Sequence, residues 1–257
     1  MDLQLKGRSA LITGGSRGIG LGIAQLLAAE GCNVHLAARS AGDLDAASKK
    51  IATASPVNVK TSALDLSATE NAVKLAREAG AVDILINNAG SIPQGNVTDL
   101  DDKTWRAAWD LKVFGFINLT REIYRDMCDR KRGVIINVIG TAGARPTAAY
   151  LAGSMANSAL MTMSCALGAD STRYGVRVMG VNPTATATDR GVARWRNQAQ
   201  KELSDPERWR EMTKSFPFGR PATVEEVANV VVFLASDRAS YMSGSVVNVD
   251  GGAIWRR

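Results

Sequence analysis

The sequence predicts an α/β protein in which helices cover both faces of one doubly wound parallel sheet of about seven strands. Short β-branched runs alternate with helical patterns along the chain, and several runs are apolar throughout, as is typical of parallel strands covered on both faces. This alternation requires right-handed crossovers between the strands. The predicted strands are residues 9–13, 33–37, 58–63, 84–87, 133–138, 177–181 and 246–249.

The composition predicts a single domain over residues 1–257. A chain of 257 residues that is 46% hydrophobic and 22% charged can bury a substantial core without a second domain. Cys32, Cys128 and Cys165 lie far apart in apolar patterns, so we expect neither a disulfide framework nor a metal site. No apolar run approaches membrane-spanning length and no secretory signal is recognisable, so we expect a cytoplasmic protein without a membrane partner.

The charge pattern favours anionic small molecules over nucleic acid. Although the net charge is +6, the Lys and Arg residues are spread along the chain and mixed with acids instead of forming a basic stripe. The single histidine, His35, belongs to the pattern of the second strand and is interpreted as a packed side chain. We therefore expect no nucleic-acid partner.

A glycine-rich turn follows the first predicted strand. Residues 13–20 read TGGSRGIG and lead into a helical pattern that carries Ile19, Ile23 and Leu27 on one face. Glycines there let the backbone approach a pyrophosphate, whose charge is met by free amides and the helix dipole. A plain tight connection is the other interpretation, but the place of the turn between first strand and first helix favours dinucleotide binding.

Short motifs also follow the other predicted strands. Ligands of doubly wound sheets bind beyond the carboxyl ends of the strands, so these motifs are expected to converge on one crevice. They are residues 38–39, 65–66, 87–90, 140–141 and 182–183.

Together the motifs resemble those of the short-chain dehydrogenase/reductase family, and the similarity runs through nearly the whole chain. Residues 13–20 match TGxxxGxG, and residues 87–90 read NNAG. Residues 183–188 resemble the family's segment after the sixth strand, and residues 219–252 contain its carboxyl-terminal block. The resemblance implies a Rossmann-type fold, a nicotinamide dinucleotide and a substrate lid. It also implies a homo-oligomer, a tetramer or a dimer, packed through two long helices.

The lid implied by the resemblance is residues 184–218, and the long helices surround residues 105–130 and 148–174. The resemblance also implies a set of cofactor contacts. These are Gly14, Ser16, Arg17, Gly18, Ile19, Gly20, Arg39, Asp65, Leu66, Asn88, Ala89, Gly90, Tyr150, Pro183 and Thr188.

The end of the second strand predicts which dinucleotide is bound. Binders of the non-phosphorylated form usually carry an acid there, whereas this chain has Ala38 and Arg39. Arg39 offers a forked donor to a 2′-phosphate, with Arg17 as a second cation, so NADP(H) is preferred over NAD(H). The alternative is that Arg39 is only a solvated residue at a strand end.

At the reacting end the resemblance implies four residues: a serine, a tyrosine, a lysine four residues after the tyrosine, and an asparagine on the neighbouring long helix. Tyr150 matches the tyrosine, but Ser154 stands in the place of the lysine. Gly140 stands in the place of the serine, with Thr141 adjacent, and both are candidate substrate contacts. Lys112 begins the segment that usually starts with asparagine.

We hypothesise that Lys112 supplies the ammonium that position 154 lacks. A nearby positive charge favours the phenolate of Tyr150, and Ser154 would vacate the space and bond to the ammonium, with Asn157 on the same helix face orienting it. Lys112→Met is then expected to lower turnover and move the pH optimum upward. The alternative is that Lys112 points to solvent or to a backbone carbonyl.

The predicted function is that of an NADP(H)-dependent oxidoreductase that interconverts a carbonyl compound and an alcohol, with Tyr150 as proton donor or acceptor. The alternative is a catalytically weak or inactive NADP(H)-binding protein, because Gly140 offers no hydroxyl and loss of such a donor costs about 100-fold or more in rate. The lid's cations, together with Trp195 and Trp209, suggest an anionic substrate with an apolar body, although ion pairs along the helices explain the charges equally well.

Overall fold

The computed structural model describes residues 1–256, and it contains one parallel sheet of seven strands in the order β3-β2-β1-β4-β5-β6-β7. Its order reverses between β1 and β4, which is the switch point where doubly wound sheets bind ligands. The fold class predicted from the sequence is confirmed. The strands are β1 (Ser9–Thr13), β2 (Asn33–Ala38), β3 (Val59–Ala63), β4 (Ile84–Asn87), β5 (Gly133–Val138), β6 (Val176–Pro183) and β7 (Val246–Val249).

Helices cover both faces of this sheet. Within β1, Ala10 and Ile12 join the core on one face of the sheet, whereas Leu11 joins the core on the other face. That alternation is the two-residue period of a strand buried on both sides. The α-helices are α1 (Gly18–Ala29), α2 (Ala41–Ala54), α3 (Thr69–Ala79), α4 (Asp102–Trp109), α5 (Gly115–Asp129), α6 (Leu151–Ser171), α7 (Asp189–Leu203) and α8 (Val224–Ala235).

A π-helical turn, Asp110–Phe114, connects α4 directly to α5. Such a turn carries an extra residue and often marks a functional site. Lys112 lies in the middle of this turn and is buried, with 8% of its surface exposed. The long helix predicted around residues 105–130 is therefore interrupted at the residue singled out from the sequence.

Residues 184–218 fold into helical structure with an apolar cluster of their own. The rings of Trp195 and Trp209 stack with centroids 5.8 Å apart, and Phe216 meets Trp195 edge-on. Both tryptophans are buried in this contact. Their apolar surface is used in packing, so the expectation that they offer it to a substrate is not supported.

The remaining sequence expectations concern single residues. His35 is buried in β2, where its Nε2 lies 2.8 Å from Oγ of Ser62, and burial lowers its pKa. Cys32, Cys128 and Cys165 are free thiols.

Over residues 1–256, no helix has the length and apolarity needed to cross a bilayer, and no cluster of His, Cys, Asp and Glu has the arrangement of a metal site.

Candidate functional site

The glycine-rich turn joins β1 to α1 in a conformation that requires glycine. Gly14 and Gly18 have φ angles of 64° and 54°, which are in the left-handed region. A Cβ atom on Gly20 would lie 2.2 Å from the carbonyl oxygen of Gly14 and 2.5 Å from Nδ2 of Asn88. A side chain at residue 20 is therefore excluded by the turn itself.

Asn88 and Thr13 bind the ends of β1 and β4 together beside this turn. The backbone amides of Asn88 and Ala89 donate to Oγ1 of Thr13 at 2.9 and 3.0 Å. Nδ2 of Asn88 also donates to the carbonyl oxygen of Thr13 at 3.0 Å. These bonds hold the two strands at the switch point in one fixed geometry.

The amino terminus of α1 is open to an anion. Its N-cap residue is Arg17, whose side chain makes no capping hydrogen bond. The first-turn amides of a helix have no partner within the helix, and together with the helix dipole they attract negative charge. The turn thus provides a phosphate cradle, which fits the pyrophosphate of a dinucleotide.

A crevice of about 670 Å³ begins at this cradle, a size common for small-molecule sites. Many of the residues predicted to contact a cofactor line it. They are Gly14, Ser16, Arg17, Gly18, Ile19, Arg39, Leu66, Asn88, Ala89, Gly90 and Thr188.

Four of the predicted cofactor contacts do not line the crevice. Gly20 supports the turn from behind, and Pro183 is the buried last residue of β6. The carboxylate of Asp65 accepts a hydrogen bond from the backbone amide of Ser67 at 3.0 Å. Its chain neighbours Leu64 and Leu66 line the crevice in its place. Tyr150 lies outside the lining residues at the reacting end.

Sequence reasoning missed several lining residues. Most are chain neighbours of predicted contacts, so wider windows around the motifs would have found them. Arg190 and Ala193 come from α7, and only the tertiary fold brings them to the crevice. The missed residues are Ala37, Ser40, Asp43, Leu64, Ser91, Leu111, Asp189, Arg190 and Ala193.

At the end of the crevice beside β2, one of the two predicted phosphate-binding cations is already paired. Nη2 of Arg17 lies 2.5 Å from Oδ1 of Asp43, and this contact lowers the pKa of the Asp43 carboxyl. The side chain of Arg39 is exposed and makes no ion pair with any residue in 1–256. The crevice therefore does contain a carboxylate near the end of β2. It is that of Asp43, which belongs to α2 and not to the strand end.

Lys112 approaches the crevice from behind Gly90. A Cβ atom on Gly90 would lie 2.5 Å from Cδ and 3.4 Å from Nζ of Lys112. Nζ donates to the carbonyl oxygens of Val138 and Ile139 at 3.0 and 3.2 Å. Burial, with a smaller contribution from Arg190, lowers the pKa of Lys112 to about 7.

The alternative in which Lys112 points to backbone carbonyls therefore matches the structure. The physical reason is that carbonyl oxygens at the end of β5 satisfy the amine at a depth where water cannot. Asn157 donates through Nδ2 to the next carbonyl in line, that of Gly140, at 3.3 Å. Lys112 and Asn157 together hold the chain where β5 ends and the candidate substrate contacts begin.

The hydrogen bond expected between Ser154 and Lys112 is not formed. Oγ of Ser154 accepts instead from the backbone amide of Thr147 at 3.2 Å. Ser154 lies one turn into α6, and this bond ties the helix to the loop that leads into it. The expectation was wrong because helix spacing shows which residues share a face but not which neighbour that face meets.

Tyr150 is the N-cap residue of α6, and its backbone is held by a parallel bridge to Gly95. The phenol ring lies over Gly153: a Cβ atom there would be 2.0 Å from ring carbons Cε1 and Cζ and 2.6 Å from the hydroxyl oxygen. The absence of a side chain at Gly153 thus creates the space that the ring fills. The hydroxyl makes no hydrogen bond with residues 1–256, so it is available to a ligand.

Burial raises the pKa of the Tyr150 phenol, and Arg190 and Arg194 oppose that rise. Both arginines lie on α7, in the segment for which the family resemblance implies a lid. Lys112 is not among the cations that act on the phenol. The positive charge that acts on the Tyr150 phenol therefore comes from α7.

Three comparisons show which known proteins the chain is similar to. The family model described as Enoyl-(Acyl carrier protein) reductase matches residues 14–253. L-xylulose reductase of Bos taurus is 32% identical over 253 residues, covering 98% of each chain. Galactitol 2-dehydrogenase (L-tagatose-forming) of Cereibacter sphaeroides is 33% identical over 258 residues, covering 98% of this chain and 97% of its relative. The L-sorbose reductase from Gluconobacter frateurii, solved with NADPH and L-sorbose, superposes with a TM-score of 0.95 at 30% identity and full coverage of both chains.

Proposed function

Because the chain belongs to the short-chain dehydrogenase/reductase family of oxidoreductases, we propose that it interconverts a carbonyl compound and an alcohol with NADP(H) as the hydride carrier. Two observations carry this proposal: a crevice begins at the phosphate cradle of α1, and the hydroxyl of Tyr150, outside the lining of that crevice, has no hydrogen-bond partner within residues 1–256. The dinucleotide, when bound, supplies or accepts the hydride. The remaining steps are orientation and proton transfer by the residues of this chain.

The cradle and the crevice fit such a dinucleotide. The uncapped first turn of α1 would hold the pyrophosphate, and Thr188 covers the turn, since a Cβ atom on Gly18 would lie 3.1 Å from Cγ2 of Thr188. The NADPH-bound L-sorbose reductase supports the choice of a nicotinamide dinucleotide. Arg39, exposed and without an acidic partner within residues 1–256, is the residue proposed to bind the 2′-phosphate.

Replacing Arg39 by glutamate is expected to reverse the preference for NADP(H). The lost forked donor and the new negative charge both act against the 2′-phosphate, and we expect NADPH affinity to fall about 10- to 100-fold while NADH affinity holds or improves. Titration calorimetry with both dinucleotides measures this ratio.

Asp43→Asn is the matched variant on the same wall, because it releases Arg17 for the phosphate. It is expected to move the ratio in the opposite direction. If Arg39→Glu loses affinity for NADPH and NADH equally, residue 39 does not discriminate between the two dinucleotides.

Tyr150 is proposed to exchange the proton with the substrate oxygen. Its phenol is a hydrogen-bond donor when protonated, and the field of Arg190 and Arg194 favours the charged form in which it can take the proton back. Gly140 and Thr141 form the proposed substrate wall, which Lys112 and Asn157 stabilise by binding carbonyls at the end of β5. Ser154 and Lys112 are thus assigned positioning roles around the reaction site.

The experiment that tests this function follows NADPH consumption with ketoses, ketones, aldehydes, quinones and 3-oxoacyl thioesters, for the wild type and for Tyr150→Phe. Turnover that disappears in the variant supports the proposal. Turnover that persists in the variant would show that another group carries the proton.

A second candidate is a protein of the same fold that binds NADP(H) with little catalysis. Gly140 has no hydroxyl to meet charge on a carbonyl oxygen, and burial raises the pKa of Tyr150. Tight NADPH binding without turnover on any substrate of the panel would favour this candidate.

We also propose a cytoplasmic homo-oligomer, a dimer or a tetramer. Phe114 and Met155, at the π-helical turn and on α6, expose 48% and 46% of their surfaces, which favours burial against a second copy. Light scattering after size exclusion measures the mass directly. A monomer at micromolar concentration would contradict this proposal.

A further inference from the structure

A second cavity, of about 570 Å³, lies where β6 and β7 end, next to Thr184 and Asp250. The loop before α6, the segment before α8 and the chain after β7 form its wall. It shares no lining residue with the crevice that the dinucleotide is proposed to fill, and Tyr150 does not line it. Its volume is in the range of small-molecule sites, so it is a candidate site for a further ligand.

Two arginines that line this cavity have no acidic partner within residues 1–256. Nη1 of Arg145 donates to the carbonyl oxygen of Ala253 at 2.8 Å. Nη1 of Arg256 donates to that of Ser215 at 3.0 Å. Because a guanidinium has five N–H donors, this single bond holds each side chain at the wall and leaves other donors for a ligand.

The acidic side chains of the wall, in contrast, already have partners. Glu226 binds Arg220 through two hydrogen bonds of 2.6 and 2.9 Å. The carboxylate of Asp250 accepts from the backbone amides of Gly252 and Ile254 at 2.9 and 3.0 Å. The lining thus has three guanidinium groups against two carboxylates, and its spare charge is positive.

The rest of the wall is largely apolar and includes an aromatic residue with a strained backbone. Phe218 has a φ angle of 56°, which is rare for a bulky side chain, and 85% of its surface is exposed. A Cβ atom on Gly251 would lie 3.0 Å from Cε2 of Phe218, so the ring lies against the chain that follows β7. Strain of this kind is common at ligand sites, where the surrounding structure maintains it. The apolar lining also includes Ala185, Phe216, Pro217, Ala222, Val249 and Ala253.

We propose that this cavity binds an amphipathic monocarboxylate, with Arg145 and Arg256 on the carboxylate and Phe218 over the apolar body. A forked guanidinium suits a carboxylate, which accepts two parallel hydrogen bonds, and the apolar body gains free energy by leaving water. The site is independent of the proposed function, because it needs neither a reacting carbonyl group nor the dinucleotide. It is therefore filled equally well with and without NADP(H).

The test is a calorimetric titration of octanoate into the wild type, compared with 1-octanol and with acetate. Octanoate is expected to bind at least about 10-fold more tightly than either, because 1-octanol lacks the charge and acetate lacks the apolar body. Saturating NADP⁺ is expected to leave the affinity for octanoate unchanged. Absence of octanoate binding, equal affinities for octanoate and 1-octanol, or displacement of octanoate by NADP⁺ would each overturn the proposal.

Two variants test the cations. Arg145→Met and Arg256→Met are each expected to lower the affinity for octanoate about 10-fold, the loss of a charge-assisted hydrogen bond, and to leave that for 1-octanol unchanged. Arg77→Met is the control, because Arg77 is exposed on α3 and does not line the cavity. A loss of the same size in Arg77→Met would show that only net charge matters and would overturn the site.

The variant Phe218→Gly tests the apolar wall. Glycine adopts the left-handed conformation without strain, so the melting temperature is expected to stay near the wild-type value while the affinity for octanoate falls about 10-fold. Octanoate affinity equal to that of the wild type would overturn the placement of the apolar body against Phe218.

Discussion

Replacing Gly153 by alanine is expected to lower turnover by about 100-fold or more without unfolding the protein. The added Cβ atom would lie 2.0 Å from two ring carbons of Tyr150, well inside contact distance. Because the ring is the mobile end of a side chain, it can rotate away while the backbone of α6 stays in place. Alanine also favours a helix more than glycine by about 1 kcal/mol, so the melting temperature is expected to hold or rise.

The measurement is kcat alongside the melting temperature, for Gly153→Ala, Tyr150→Phe and the double variant. If Gly153 acts by leaving room for the phenol, the double variant loses no more activity than Tyr150→Phe alone. Gly42→Ala on α2 is the control, since a Cβ atom there meets nothing within 4 Å. Full activity in Gly153→Ala would mean that the ring position over Gly153 is not needed.

The second large effect concerns stability and follows from the buried amine of Lys112. Its pKa of about 7 in the folded protein lies far below the ordinary value of 10.5. Between these values the unfolded chain binds a proton that the folded protein does not, so stability rises with pH through this range. This gain in the free energy of unfolding is complete above the pKa that Lys112 has in the unfolded chain. It is lost as the pH falls through the pKa that Lys112 has in the folded protein.

The free energy of unfolding of the wild type, relative to Lys112→Met, is therefore expected to increase by about 2 kcal/mol from about pH 7.5 to about pH 9.5. Denaturant titrations of both proteins at the two pH values measure the difference. Lys103→Met, at an exposed position on α4, is the control and is expected to show no such dependence. A constant difference between wild type and Lys112→Met would show that the lysine is not held neutral.

The cofactor half of the site was largely predictable because it depends on backbone geometry. Glycines at residues 14 and 18 adopt the left-handed conformations that such a turn needs, and residue 20 admits no side chain. Constraints of this kind act between chain neighbours, so a sequence motif carries them. The pairing of Arg17 with Asp43 escaped prediction because Asp43 arrives on α2, some 26 residues away.

The reacting end was less predictable because its side chains meet across separate elements. Lys112 and Tyr150 were both singled out, yet helix periodicity suggested that Ser154 would meet the ammonium. Packing instead directs Lys112 to the carbonyls of β5 and Ser154 to Thr147. The space above Gly153 is likewise visible only once the ring of Tyr150 is placed.

The sequence by itself determined the doubly wound sheet, its seven strands and the glycine turn at the switch point, because strand and helix periods and glycine conformations are local properties. Only the tertiary structure decided that Lys112 is satisfied by backbone carbonyls and that Arg190 reaches the crevice from α7. The physical reason is that burial and charge depend on which distant elements pack together. The same side chains have other pKa values and other partners until the fold brings these elements into contact.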